Sequence, residues 1–152
     1  YFYTEASSGT TGAVAELYTP LVDIDGLTDP TLQFYYHMFG ATMGELHVDV
    51  FDGSVWINDV DFIIGQQQTA QADPWALRVI SLSAYSGTIQ VRFRAIRGTD
   101  YFGDISLDDI SFVEGGIVTV YPNPVSKILF KVCLSAESGL TTKPIKGGLA
   151  PI

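Results

Sequence analysis

Two adjacent aspartates are the side chains best suited to binding a cation. In GDISLDDISF, residues 103–112, apolar side chains alternate with polar ones, but the alternation changes phase at Asp108 and Asp109. Because successive side chains of a strand point to opposite faces, either phase directs one of the two carboxylates inward. An inward carboxylate is costly unless it is paired or bound to a metal. The pattern leaves three alternatives: a divalent-cation site, a β-bulge that lets both aspartates reach solvent, or a carboxylate that accepts hydrogen bonds from loop N–H groups.

The spacing of the acidic residues does not support acid–base catalysis. Asp104 and Asp108 share a face of a regular strand but would lie about 13 Å apart, whereas glycosidase carboxyl pairs are at most about 9.5 Å apart. The two histidines, His37 and His47, are not part of a GxSxG or HExxH motif. We therefore predict no catalytic residues and expect each histidine to pack or to form hydrogen bonds within the fold.

Aromatic residues in irregular segments are candidates for ligand binding. Trp56 stands between polar segments, and Tyr101 and Phe102 occupy the predicted turn at residues 97–103. Aromatics on loops often bind ligands, but the alternative is that they pack the loops onto the ends of the domain. A sugar-stacking platform would draw on Tyr35, Tyr36, Phe39, Trp56, Trp75, Tyr101 and Phe102.

Charge divides the chain into two parts. Residues 1–115, here called the body, hold sixteen acidic residues, four arginines and no lysine, a formal charge of 4 − 16 = −12. Residues 116–152, the tail, hold four lysines and one glutamate, a formal charge of 4 − 1 = +3. An acidic body argues against nucleic acid and anionic membranes as partners, because both are bound by Lys and Arg. Divalent cations, neutral sugars or a basic protein are compatible with it.

Period-two alternation runs through the body, and helical periodicity is nearly absent. The clearest strand, residues 87–96, directs Ile89, Val91, Phe93 and Ala95 inward. Residues 1–6 and 13–19 are predicted strands on either side of the turn SSGTTG, and residues 21–30 are predicted to be a loop. Residues 52–74 predict a strand fragment, a loop and the approach to another strand. Strands at roughly ten-residue spacing predict an all-β antiparallel sandwich or barrel. The glycine pair Gly115-Gly116 and the charge reversal place a domain boundary near residue 115.

The single cysteine, Cys133, excludes an intrachain disulfide and is expected to be an incidental free thiol. No run of 18 apolar residues occurs, so no membrane span is predicted. The last residues of the tail, after Val132, lose all periodicity and are expected to be poorly ordered.

Five segments of the body, taken in order, resemble the MAM domain, the extracellular module named after meprin, A5 antigen and a receptor tyrosine phosphatase. They are YFYTEASSG with AELYTPLVD, LQFYYHMFGATMGELHVDVF, the tryptophan at Trp75, IQVRFRAIRG, and GDISLDDISF. The resemblance implies a jelly-roll β-sandwich with a role in adhesion or partner binding and no catalysis. The disulfide cysteines of the family are missing, with Thr31 at one of their positions. The first strand of the family would precede Tyr1, so we expect a domain that lacks its N-terminal strand.

The resemblance also implies a metal. Jelly-roll modules of this kind often carry a structural Ca²⁺ where the last strand meets the N-terminal segment. Asp108 and Asp109 would be ligands from that last strand, and Glu5 would be a third, because Ca²⁺ takes six to eight oxygen ligands.

The tail segment TVYPNPVSKILF resembles the start of the type A C-terminal sorting domain of the bacterial type IX secretion system. Tyr121, Pro122, Asn123 and Pro124 carry the resemblance, together with the apolar residues that follow. It implies a Gram-negative bacterium of the Bacteroidetes type and a larger precursor that is secreted or held at the outer-membrane surface.

We therefore expect a non-catalytic adhesion or protein-interaction module of a secreted or cell-surface bacterial protein, with a protein or glycan at a cell surface as its partner. The alternative is a carbohydrate-binding accessory module of a secreted hydrolase or peptidase. In either case Trp56, Tyr101 and Phe102 are the candidate ligand-binding residues.

Overall fold

A computed structural model of the protein describes residues 1–115 and the backbone of residues 131–134. These residues form strands and turns with no helix, which confirms the predicted all-β class. The strands are β1 (Phe2–Tyr3), β2 (Val14–Tyr18), β3 (Val22–Asp23), β4 (Pro30–Met38), β5 (Glu45–Phe51), β6 (Trp56–Ile64), β7 (Ala76–Ser81), β8 (Thr88–Ile96), β9 (Ile105–Glu114) and β10 (Lys131–Leu134).

Two antiparallel sheets make a β-sandwich. The four-stranded sheet has the order β1-β9-β4-β7, and the six-stranded sheet has the order β10-β2-β8-β5-β6, with the short β3 also paired to β8. The predicted strands β1 and β2 belong to different sheets, so the turn between them crosses the sandwich instead of closing a hairpin. Residues 21–30, predicted as a loop, contain the two-residue strand β3.

The core lies between the sheets and is built by the inward side chains of alternating strands. All four predicted inward residues of β8 are buried, and the predicted inward face is confirmed. Phe34 of β4 meets Phe93 of β8 edge to face, with ring centroids 5.1 Å apart and planes at 82°. Burying such a side chain contributes about 1.5–3 kcal/mol, so this pair is a main contact between the two sheets.

A β-bulge in β9 explains the change of phase in GDISLDDISF. Gln33 of β4 pairs with Ser111, and Tyr35 pairs with Asp108, so one residue of β4 faces two residues of β9. The extra residue is accommodated at Asp109, whose φ of 48° lies in the left-handed region. Aspartate tolerates this conformation better than most residues. The bulge reverses the face that each later side chain of β9 occupies.

Strand β6 is longer than its sequence pattern predicts, and the prediction of a mere fragment is wrong. Between the pairs Val48–Asp61 and Val50–Ile57, β6 contains three residues where β5 contains one. Asp59, inside this irregularity, has a φ of 57°. The inserted residues shift the alternation in mid-strand, so a regular period-two pattern cannot be followed through it.

One strand of the tail joins the sandwich. The backbone of β10 pairs antiparallel with β2, with Cys133 opposite Glu16. The sorting motif predicted at Tyr121, Pro122, Asn123 and Pro124 lies outside the described residues, and the domain boundary near residue 115 stays a prediction. Within the described ranges, the structure has no helix long and apolar enough to cross a membrane.

Candidate functional site

The bulge carries both aspartates of GDISLDDISF toward solvent. The side chain of Asp108 is 44% exposed, and its Oδ1 lies 3.4 Å from the amino nitrogen of Tyr1. The same oxygen accepts the N–H of Asp109 at 3.0 Å, and Asp109 itself is exposed. The bulge alternative proposed from the sequence is thus confirmed.

The third predicted calcium ligand, Glu5, is engaged locally. Its Oε1 accepts hydrogen bonds from the N–H of Ser7 at 3.2 Å and from the hydroxyl of Ser7. Over residues 1–115, no group of three or more His, Cys, Asp or Glu side chains is placed to hold a metal ion. Calcium binding by Glu5, Asp108 and Asp109 stays a prediction.

The outer face of the six-stranded sheet carries a buried ion-pair network centred on Asp49, which we call the arginine face. The Asp49 carboxylate is fully buried although its strand directs it away from the core. It accepts the Nε–H of Arg92 at 2.8 Å and the Nε–H of Arg94 at 2.6 Å. A second hydrogen bond from Arg94, at 3.1 Å, and the backbone N–H of Asp59, at 2.8 Å, complete its shell. The two arginines themselves cover the carboxylate.

The network determines the charge of Asp49. Burial alone would raise its pKa, but the hydrogen bonds from Arg94, the Asp59 N–H and Arg92 outweigh burial and hold the pKa below its ordinary value. Asp49 is therefore ionised at neutral pH. The network extends to His47, whose Nδ1 lies 2.8 Å from Asp59 Oδ1 and whose Nε2 lies 2.8 Å from Glu45 Oε2. The predicted hydrogen-bonding role of His47 is confirmed.

Trp56 lies at one margin of the arginine face and is half-buried. The guanidinium carbon of Arg92 lies 4.6 Å from the centre of its ring, within cation–π distance. Tyr18 and Phe51 pack against the same ring, with centroids 5.7 and 5.5 Å away. Trp56 is therefore packed on several sides, and only part of its ring surface remains open to a ligand.

Tyr101 and Phe102 remain exposed, at 53% and 54%, with their ring centroids 4.0 Å apart. The carbonyl of Phe102 accepts the N–H of Thr42, close to the start of β5. Trp56 instead pairs with Phe51 at the end of β5, about 20 Å away along that strand. The three predicted ligand-binding aromatics thus lie at opposite ends of the sandwich and do not make one platform.

The outer face of the four-stranded sheet contains a cleft of about 440 Å³, which we call the aromatic cleft. Strand register builds its floor, because Tyr3 of β1 pairs with Ser106 of β9, and Ser106 pairs with His37 of β4. Side chains that are paired in this way stand in one row on the same face. Trp75, just before β7, extends the row, its ring centroid 5.8 Å from that of His37.

His37 is the unusual member of this row. It is only 5% exposed, and its Nε2 has no hydrogen-bond partner in the described part of the chain. The expectation that His37 packs within the fold is confirmed by its contact with Trp75. The expectation of a hydrogen bond is not met at Nε2.

Fold and surface together define a β-sandwich module that carries an ion-pair network on the outer face of one sheet and a cleft on the outer face of the other. A family model described as MAM domain, meprin/A5/mu, matches residues 1–116. The chain belongs to this family, as the resemblance of its sequence predicted.

Curated relatives agree with this assignment. The chain is 30% identical over 123 residues to MAM domain-containing glycosylphosphatidylinositol anchor protein 1 of Gallus gallus, covering 76% of this chain and 12% of that protein. It is 31% identical over 116 residues to MAM domain-containing protein 2 of Homo sapiens, covering 76% and 16%. It is 32% identical over 83 residues to MAM and fibronectin type III domain-containing protein 1 of Acropora millepora, covering 55% and 17%. The chain spans less than a fifth of the length of these three relatives.

Sequence reasoning missed two features of these surfaces. It did not single out Asp49, because the strand pattern places that residue on the solvent face and says nothing of what covers it. The outward pair Arg92 and Arg94 in the middle of a strand was the available signal. It also missed Tyr1 and Tyr3 as walls of a cleft, although the alternation YFY at the start of the chain places them on one face.

Proposed function

We propose that this chain is a non-catalytic adhesion or protein-interaction module of a secreted or cell-surface protein. The match to the MAM family over residues 1–116, which includes strands β1 to β9, is the observation that supports it. Membership of the MAM family supports a role in interaction and not in catalysis. One relative is named for a glycosylphosphatidylinositol anchor, which supports a place at the cell surface.

The surface we assign to a protein partner is the outer face of strand β6. Phe62 and Ile64 are 53% and 56% exposed there. β6 is the last strand in the order of the six-stranded sheet, so one side of its backbone is unpaired in the described structure. Exposed apolar side chains beside a free strand edge offer both buried area and main-chain hydrogen bonds to a partner.

Adhesion of beads coated with the full chain to cell layers tests this role. We expect coated beads to bind, and binding to be lost when the cells are treated with protease. The double variant Phe62→Asp with Ile64→Asp should reduce binding at least tenfold, whereas Val79→Asp, at an exposed position of the other sheet, should not. Equal binding by both variants, with melting temperatures like that of the parent, would contradict the assignment to β6.

We propose further that the protein is exported by a type IX secretion system of a Gram-negative bacterium. The segment from Tyr121 to Pro124 supports this, together with the lysine-rich tail. Fusing residues 116–152 to a periplasmic reporter in a bacterium that has this system should bring the reporter to the cell surface or medium. Replacing the four residues from Tyr121 to Pro124 by alanine should keep it in the periplasm. Export that is unaffected by this replacement would reject the motif.

The calcium proposal has its own test. If Asp108, Asp109 and Glu5 contribute to a Ca²⁺ site, excess EDTA should lower the melting temperature and added Ca²⁺ should restore it. Ca²⁺ at 100 times its dissociation constant would contribute about 2.7 kcal/mol of stability. The same melting curve in EDTA and Ca²⁺, for the parent and for Asp109→Ala alike, would remove the proposal.

Carbohydrate binding is the second candidate role. The half-buried ring of Trp56 and the exposed rings of Tyr101 and Phe102 support it, because aromatic faces stack on sugar rings. Binding to a defined glycan on an array, lost in Trp56→Ala, would place the site at the arginine face. Retained binding in that variant would place the site elsewhere.

A further inference from the structure

The aromatic cleft has the composition of a ligand site. Its volume of about 440 Å³ lies within the usual range of small-molecule pockets, roughly 300–1,000 Å³. Residues with aromatic rings and residues with hydrogen-bonding groups line the same space. The residues that matter to the argument are Tyr1, Tyr3, Trp75, His37, Gln71 and Asp104.

The wall that carries Gln71 and Trp75 is held in place by one buried hydrogen bond and by hydrogen bonds within its own loop. Gln68 is 6% exposed, and its Oε1 accepts the backbone N–H of Met38, at the end of β4, at 2.7 Å. The carboxylate of Asp73 accepts the N–H groups of Thr69 and Ala70 at 2.7 and 2.8 Å, which closes the loop into a tight turn. The loop therefore keeps its shape without a ligand, which reduces the entropy lost on binding.

The opposite wall is held by strands β1 and β9. Asp104 Oδ1 accepts the N–H of Ala6 at 2.8 Å, and the N–H of Ile105 donates to the hydroxyl of Thr4 at 3.1 Å. Burial raises the pKa of Asp104; the Ala6 N–H lowers it, and neighbouring Glu5 raises it further. A partly desolvated carboxylate such as Asp104 is stabilised when it accepts a hydrogen bond from a ligand hydroxyl.

The unsatisfied nitrogen of His37 points to a ligand with hydrogen-bonding capacity. A buried polar atom without a partner destabilises a fold by about 1–3 kcal/mol, and most buried polar groups are paired. Replacing His37 by an apolar residue would remove that penalty within the fold. A ligand hydroxyl can be donor or acceptor, so it can satisfy Nε2 in either tautomer.

We propose that the aromatic cleft binds one neutral saccharide unit of a glycan. The face of the sugar ring packs on Trp75, and its hydroxyls form hydrogen bonds with His37 Nε2, Asp104 and Gln71. An apolar ligand would leave His37 Nε2 unsatisfied. An anionic ligand would be repelled by Asp104 and by the formal charge of −12 on the body. This inference rests on the carbohydrate-binding role, and it moves the site from Trp56 to the opposite sheet.

The test uses the full 152-residue chain on an array of neutral mono- and oligosaccharides, followed by calorimetry with the best-bound glycan. We expect Trp75→Ala and His37→Phe each to weaken binding about tenfold or more, which is about 1.4 kcal/mol. Leu21→Ala, which truncates an exposed apolar side chain outside the cleft, is the control and should bind like the parent. His37→Phe should melt no lower than the parent, because it removes a buried unsatisfied nitrogen, so its loss of binding cannot be attributed to unfolding.

Three results would overturn the proposal. They are no binding to any glycan at millimolar concentration, binding that is lost in Trp56→Ala but kept in Trp75→Ala, and binding of trimethyl-lysine in place of sugars. Bead adhesion distinguishes this failure from failure of the interaction role. Adhesion that depends on Phe62 and Ile64 without glycan binding would leave the interaction role intact and remove the cleft as a sugar site.

Discussion

Removing the carboxylate of Asp49 should be among the most damaging single changes in this domain. Asp49→Ala deletes four hydrogen bonds and leaves Arg92 and Arg94 without their shared acceptor. Breaking a buried ion pair by removing one partner costs about 3–5 kcal/mol. The arginine side chains keep 16% and 19% of their surface exposed and retain ion pairs with Glu16 and Asp59. We therefore take the lower end, about 3 kcal/mol.

The predicted loss is measurable by two independent methods. In a domain of this size, about 3 kcal/mol lowers the melting temperature by roughly 12 °C, and urea unfolding should show a lower midpoint with an unchanged slope. Asp109→Asn is the matched control, because Asp109 is exposed and asparagine also tolerates its positive φ. The control should change stability by no more than about 0.5 kcal/mol.

A double-mutant cycle separates the ion pair from the shape of the side chain. Asp49→Asn keeps the shape and removes the charge, and Arg94→Met removes one partner. We expect a coupling energy between the two changes in the range of about 0.5–3 kcal/mol. A loss below about 1 kcal/mol in Asp49→Ala, or additive effects in the cycle, would refute the view that this buried network stabilises the sandwich.

Three further predictions concern pH, the bulge and the tail. Burial alone would raise the pKa of Asp49, but hydrogen bonding by Arg94, the Asp59 N–H and Arg92 lowers it below its ordinary value. The stability that ionised Asp49 contributes to the fold is therefore present above the unfolded-state pKa of about 3.9 and is lost as pH falls through the folded-state pKa. The difference in unfolding free energy between the parent and Asp49→Asn should therefore shrink from about pH 5 to pH 2 in urea titrations, and a constant difference would contradict this. Asp109→Gly should leave the melting temperature unchanged or higher, whereas Asp109→Val should destabilise by about 1–2 kcal/mol because of its φ of 48°; equal melting of the two variants would argue against a left-handed residue there. Glu16→Cys should form a disulfide with Cys133 on mild oxidation, seen by non-reducing electrophoresis, because the two are paired in register. Tyr18→Cys, whose partner is Lys131, should form less, and the opposite order would show a different register.

The sequence predicted the strands whose alternation is unbroken. β5 and β8 have regular alternation from end to end, and their buried faces follow from it because each side chain's direction is set by its own backbone. Where the backbone departs from regular pleating, the local pattern is ambiguous. The phase change at Asp108 and Asp109 was compatible with a bulge, and the bulge itself depends on how β4 pairs with β9. In β6, the insertion around Asp59 concealed a full strand.

Alternation, charge and motif order by themselves determined that this protein is an acidic all-β module of the MAM family. Only the tertiary structure decided what its outward side chains do, since that depends on pairing between strands far apart in the chain. Asp49 is buried because Arg92 and Arg94, more than forty residues away, are placed over it by the pairing of β5 with β8. The aromatic cleft exists because β1, β4 and β9 bring Tyr3, His37 and Ser106 into one row. Local propensities do not specify such partners, because the register between distant strands depends on the packing of the whole core.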